Sequence, residues 1–192
     1  MMRKAFVNIL ILFVFSSSFT LAGQKYYSLK KAQEAPVDSV FYLKVSRKKL
    51  SQIPTEIFAF KNLKGLDLSK NRLVSISPEI VELSKLEKLN LSKNRFEVFP
   101  RSLVRLESLR ELILGSNKLG YIPKNIAKYP KLELLDMYDN PIGELGEGIF
   151  LLTTLRRLDL RGLMYNAKAQ AEIRSKLPNV EVLFDAPCNC MN

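Results

Sequence analysis

From about residue 43 onward the chain repeats itself every 23 residues, and this period limits the possible folds more than any other feature of the sequence. One column of positions reads Leu43, Leu66, Leu89, Leu112, Leu135 and Leu158. A second reads Val45, Leu68, Leu91, Leu114, Met137 and Leu160. Further apolar columns run through Leu73, Phe96 and Leu119, through Ile76, Phe99 and Ile122, and through Leu83, Leu106 and Tyr129. A unit this short cannot bury its own apolar face, so each copy must stack on the next and share one continuous core.

Within each cycle stands the fragment Leu-x-x-Leu-x-Leu-x-x-Asn, clearest over Leu63–Asn71, Leu86–Asn94 and Leu109–Asn117. Its Leu-x-Leu part alternates with a period of two, which predicts a short strand with leucines inward and the intervening residues outward. The recurring Asn71, Asn94, Asn117 and Asn140 fall at the bend after the strand, where a side-chain amide can satisfy open backbone groups. The second half of the cycle carries a proline, as in Ile53-Pro54-Thr55-Glu56-Ile57 and Ile122-Pro123-Lys124-Asn125-Ile126, and then apolar residues three apart, as Ile57 with Phe60 and Leu103 with Leu106. Proline fixes φ and brings no donor, which suits the start of a short helical turn. The predicted fold is α/β: a right-handed coil with a parallel β-sheet on its concave face and short 3₁₀ or irregular turns on its convex face.

This pattern resembles the leucine-rich-repeat family, in particular the 23-residue class with an Ile-Pro-x-x-Ile segment found in many small bacterial proteins. The resemblance covers roughly residues 40–184 and implies a leucine-rich-repeat solenoid. Secreted animal members often carry a cysteine-rich N-terminal cap, which this sequence lacks, so the resemblance points to the bacterial members. The repeated residues build the core and say little about the surface.

The ends read differently. Met1-Met2-Arg3-Lys4, an apolar run to Phe15 and small residues up to Ala22 have the form of a secretory signal peptide, with an apolar run shorter than the roughly 20 residues of a membrane span. Ser28 to Ala35 reads as a short helix capped by Ser28 and stopped before Pro36. Ala167 to Leu177 reads as a true helix ended by Pro178, and Val180 to Phe184 as a closing strand. The expected organisation is a signal peptide over 1–22, a helical cap over 23–39, repeats with their terminal helix over 40–177, and a closing strand and loose tail over 178–192. Cys188 and Cys190 lie too close in sequence to staple the fold; a bond between them would close a tiny strained ring, so free thiols or pairing with another molecule are the alternatives.

The chain contains no histidine, which excludes an imidazole base, a histidine-centred triad and the usual histidine-rich zinc sites. Its formal charge of +11 favours anionic partners without selecting one. Outward positions between the leucines form columns. One reads Tyr42, Gly65, Lys88, Glu111, Leu134 and Arg157; the next, Lys44, Asp67, Asn90, Ile113, Asp136, Asp159 and Glu181. A third contains Tyr138 and Arg161. Ile113, Leu134 and Tyr138 are apolar where the core does not require it, and with Asp136 and Asp159 beside them they form the candidate protein-binding site. Asp136 and Asp159 belong on neighbouring strands, within reach of Arg157 and Arg161, on an open face that offers no catalytic pocket.

The expected function is therefore a non-catalytic protein-binding module, without cofactor or metal, acting in the periplasm or outside the cell. The alternative is adhesion to an anionic glycan or lipid surface through a basic rim at Arg47, Lys70 and Lys93, joined by Lys88 and by convex cations including Arg95. Nucleic acid is disfavoured, because no aromatic residues are interleaved with the rim. No transmembrane segment is expected after signal cleavage, and self-association stays open.

Overall fold

A computed structural model describes residues 25–188. The expected signal peptide over 1–22, and the end of the tail with Cys190, lie outside the described residues. Eight short parallel strands form one sheet in chain order: β1 (Tyr27–Ser28), β2 (Tyr42–Lys44), β3 (Gly65–Asp67), β4 (Lys88–Asn90), β5 (Glu111–Ile113), β6 (Leu134–Asp136), β7 (Arg157–Asp159) and β8 (Glu181–Leu183). The register puts Leu43, Leu66, Leu89, Leu112, Leu135, Leu158 and Val182 side by side. All seven are buried, so the leucine column read from the sequence is the inner row of the sheet.

Opposite the strands, 3₁₀ turns span Thr55–Ala59, Pro78–Glu82, Arg101–Arg105, Lys124–Lys128 and Glu147–Leu151. Proline stands immediately before three of these turns and at the first position of a fourth. Its fixed φ starts the turn, and the missing N–H is one that the turn would have left open. Ile57, Ile80, Leu103, Ile126 and Ile149 point back from the turns into the core.

The asparagine column holds successive coils together. The Asn94 carbonyl oxygen accepts from Leu73 N–H of the preceding coil at 3.1 Å, while its amide nitrogen donates to the carbonyls of Leu68 at 3.1 Å and Leu91 at 2.9 Å. Asn71, Asn117 and Asn140 repeat the arrangement. Each amide thus closes the bend after its own strand and ties it to the coil before.

At the N-terminal end the sheet gains a strand that the sequence pattern did not reveal. β1 has two residues and no leucine repeat, yet it pairs with β2 through Tyr27 and Leu43. Helix α1 (Leu29–Gln33) follows, and the Ser28 hydroxyl accepts from Lys31 N–H at 3.4 Å. At the other end, α2 (Ala167–Lys176) starts at Asn166, whose side chain accepts from Ala169 N–H, and β8 completes the sheet. Cys188 is disulfide-bonded, which removes the free-thiol alternative for that residue.

Candidate functional site

The concave face is built from the residues that alternate with the inner leucines. The register confirms one column as Tyr42, Gly65, Lys88, Glu111, Leu134 and Arg157, but continues it to Glu181. Glu181 therefore does not follow Asp159, as the sequence columns suggested; Leu183 does. The step from β7 to β8 is one residue longer than the repeat, because α2 replaces the usual 3₁₀ turn, and one extra residue shifts which side chain falls in which column. Arg157 accordingly pairs with Glu181, at 3.7 Å, and not with either aspartate.

Charges on this face compensate one another across strands. Lys44 pairs with Asp67 at 3.4 Å and Lys88 with Glu111 at 2.8 Å. Lys88 thus stands on the concave face in an ion pair, apart from the row formed by Arg47, Lys70 and Lys93. At the N-terminal end Tyr26 leans against Tyr42, with ring centroids 5.4 Å apart, over the space left open by Gly65. A cleft of about 320 Å³ opens beside them, lined by Tyr26, Lys44, Asp67, Lys88 and Glu111 among others. Burial, and then the Asp67 carboxylate, push the Tyr26 phenol up to about 12, so it is a neutral hydrogen-bonding group.

The column Asp67, Asn90, Ile113, Asp136, Asp159 has an internal logic. Asp67 accepts from Ser69 N–H at 2.9 Å, Asn90 from Ser92 at 3.0 Å, Asp136 from Tyr138 at 2.9 Å and Asp159 from Arg161 at 3.1 Å. Each side chain satisfies the backbone two residues on and so ends its strand, the ordinary work of Asp and Asn in turns. Ile113 alone among these five has no such group.

The remaining candidates occupy distinct settings. Ile113 and Leu134 are half-buried and stand diagonally across β5 and β6. Tyr138 is 42% exposed, two side-chain steps beyond Leu134, with Asp136 between them. Gly115 makes room for this arrangement: a Cβ there would lie 2.9 Å from Asp136 Oδ1 and 3.3 Å from Tyr138 Cβ. Asp159 is buried, and Arg161 grips it with Nε at 3.0 Å and Nη2 at 2.6 Å, while the same guanidinium lies 6.0 Å from the Tyr138 ring centroid. What this end presents outward is therefore Tyr138 and Arg161, with Asp159 as their support. Burial, and to a lesser degree the neighbouring Asp159, hold the Asp136 carboxyl above its usual range against the opposing Tyr138 N–H, Arg161 and Arg157. Arg161 was read in sequence only as a partner for the aspartates. The signal for its wider role was its place in the same column as Tyr138.

Among the described residues no group of three or more His, Cys, Asp or Glu side chains could hold a metal ion, and no helix is long and apolar enough to cross a membrane. Residues 39–96 and 61–119 match the leucine rich repeat family model. Among solved structures the chain is similar to a leucine-rich-repeat protein of Leptospira interrogans, with 35% identity over 78% of this chain and 38% of that one, and a TM-score of 0.69. It is also similar in fold to the functional domain of InlJ from Listeria monocytogenes, which includes a cysteine ladder; identity is 19%, over 77% of this chain and 31% of that one, with a TM-score of 0.56. The chain thus spans well under half the length of either structure. No curated protein matches it significantly.

Proposed function

We propose that this chain, whose leucine-rich-repeat fold is shared with those bacterial proteins, is a non-catalytic module that binds a protein partner on its concave face, in the cell envelope or outside the cell. The observation that carries this reading is Ile113. At its position in the column four neighbouring repeats place an Asp or Asn that closes a turn, and this repeat gives up that hydrogen bond for a half-buried aliphatic side chain. The solenoid gains nothing evident from the exchange, whereas an interface gains an apolar anchor beside Leu134 and Tyr138. Asp136 and Asp159 shape and support this patch, and Arg161 adds a cation at its edge. The test is affinity capture by the full chain at low and high salt. A discrete protein retained at high salt, and lost from Ile113→Asp and Tyr138→Ala variants that melt like the parent, is the expected result. Equal retention by these variants would remove the patch from the interface.

A second reading, binding to an anionic surface, is favoured by a separate observation. Arg47, Lys70 and Lys93 are exposed, stand in one row, and take part in no ion pair among the described residues. Retention on anionic matrices that vanishes as salt rises, and that is weakened in an Arg47→Gln/Lys70→Gln variant, is its signature.

A further inference from the structure

We propose that the basic edge is a two-row ladder that binds a linear anionic polysaccharide along the solenoid axis. This rests on the anionic-surface reading and gives it an occupant. The first row is Arg47, Lys70 and Lys93. The second row is Lys49, Arg72 and Arg95, and ends at Lys118. Arg95 belongs to this row, next to the buried Asn94, and not to the convex face where the sequence reading placed it.

The rows are held in register by the backbone. Arg47 N–H donates to Ser69 at 3.1 Å, Lys70 to Ser92 at 2.9 Å and Lys93 to Gly115 at 2.8 Å. In the second row Arg72 N–H donates to Leu50 at 2.8 Å, Arg95 to Leu73 at 2.9 Å and Lys118 to Phe96 at 2.8 Å. Cation therefore follows cation at about the 4.8 Å spacing of neighbouring strands. Of all seven, only Lys118 has a carboxylate partner among the described residues, Glu97 at 3.5 Å. Elsewhere the cations of this protein are commonly matched across coils, as Lys61 with Glu82, Lys64 with Glu87 and Arg110 with Glu133.

Backbone conformation supplies an independent argument. Arg47, Lys49, Lys70 and Lys93 all have φ between 57° and 59°, a left-handed conformation that crowds the Cβ of any residue other than glycine. Equivalent later positions of the first row use Ser116, Asp139 and finally Gly162. The first repeats keep a cation where glycine would fit without that strain.

The geometry favours a line over a plane. The cations form a narrow strip along one axis, with no aromatic residue between them on which a base could stack. Just beyond the second row, the exposed apolar side chains Val74, Val98 and Tyr121 stand one to a coil instead of forming the continuous apolar face with which an interfacial segment enters a bilayer.

The test is titration of the full chain with a sulfated heparin hexasaccharide and, in parallel, with phosphatidylglycerol vesicles, at rising salt. The expected result is salt-sensitive binding of the hexasaccharide, weakened roughly thirty-fold by Arg72→Gln/Arg95→Gln if each cation contributes as basic residues do near anionic surfaces. A convex-face control, Lys124→Gln/Lys128→Gln, changes the net charge equally and leaves binding intact; circular dichroism melting checks that both variants fold. Equal loss in the control would overturn the ladder in favour of net charge alone. Binding of vesicles without the hexasaccharide would overturn the linear occupant. Loss in Arg47→Gln/Lys70→Gln but not in Arg72→Gln/Arg95→Gln would reduce the site to one row and leave the anionic-surface reading standing. No binding of either probe would sink that reading as well.

Discussion

The first three coils and the last three are the same structure wearing different surfaces. In both halves the inner leucines, the buried asparagines and the 3₁₀ turns repeat in register. On the loop edge, however, the early coils carry Arg47, Lys70 and Lys93, where the later ones carry Ser116, Asp139 and Gly162. On the concave face the early coils present compensated pairs such as Lys44 with Asp67, whereas the later ones present Ile113, Leu134 and Tyr138. A solenoid separates the two demands because each repeat needs only its neighbours for stability, which leaves every outward position free to vary independently. The two proposed partners would accordingly meet different columns of one short chain.

The shared backbone is the part of this comparison that is easiest to break. Replacing Asn94 by alanine leaves Leu73 N–H and two carbonyls without the amide that joins them, and the expected loss of stability is about 3 kcal/mol. Asn140→Ala should cost a similar amount, because its bonds to Leu119, Leu114 and Met137 are equivalent. Urea denaturation of both variants checks the claim. A large cost in one half and little in the other would show that the coils are not energetically alike.

The core of this arrangement was legible in the sequence, because a buried leucine must recur wherever the backbone recurs. Ile57 and Ile80, which the sequence shows at the same phase as Leu103 and Ile126, are fully buried as expected. The surface was legible in position but not in role. Asp136 and Asp159 were placed on neighbouring strands, as the structure has them, yet a one-letter pattern does not show that each is bonded to the backbone two residues on. Glu181 was assigned to the wrong column because its register depends on a helix that breaks the period. β1 was missed since two residues carry no periodicity, and only pairing to β2 makes them a strand. The left-handed column at Arg47, Lys70 and Lys93 escaped notice for a different reason: cations are not the residues that announce a positive φ.

That column allows the halves to be contrasted by opposite signs at equivalent positions. Gly162 has φ +81°, and a Cβ there would lie 2.7 Å from the Asp139 nitrogen and 2.8 Å from its Cα, both backbone atoms that cannot swing aside. Gly162→Ala should therefore destabilise the chain by about 2 kcal/mol. Lys93→Gly relieves a left-handed lysine and should stabilise it by about 0.5 kcal/mol, the relief being partly offset by the greater freedom of glycine in the unfolded chain. Thermal melting of the two variants measures both shifts. If Lys93→Gly destabilises instead, the lysine makes a stabilising contribution in the free protein, and its retention no longer argues for a ligand.

The smallest expected effect concerns Asp136, which Asp136→Asn would convert into the counterpart of Asn90 in the early half. Burial first, and then Asp159, raise the Asp136 carboxyl in the folded state. A carboxyl raised on folding binds its proton more tightly in the native than in the unfolded chain. Its contribution is thus fully present below the unfolded value and is lost as pH climbs through the raised one. Asparagine keeps an oxygen for Tyr138 N–H, as Asn90 does for Ser92, but has no charge to desolvate. The stability difference between Asp136→Asn and the parent should be near zero in acid and grow in favour of asparagine as pH rises towards neutrality. Denaturant midpoints across that range check it. A difference that does not vary with pH would mean that the carboxylate is as well accommodated in the later half as the neutral amide is in the early one.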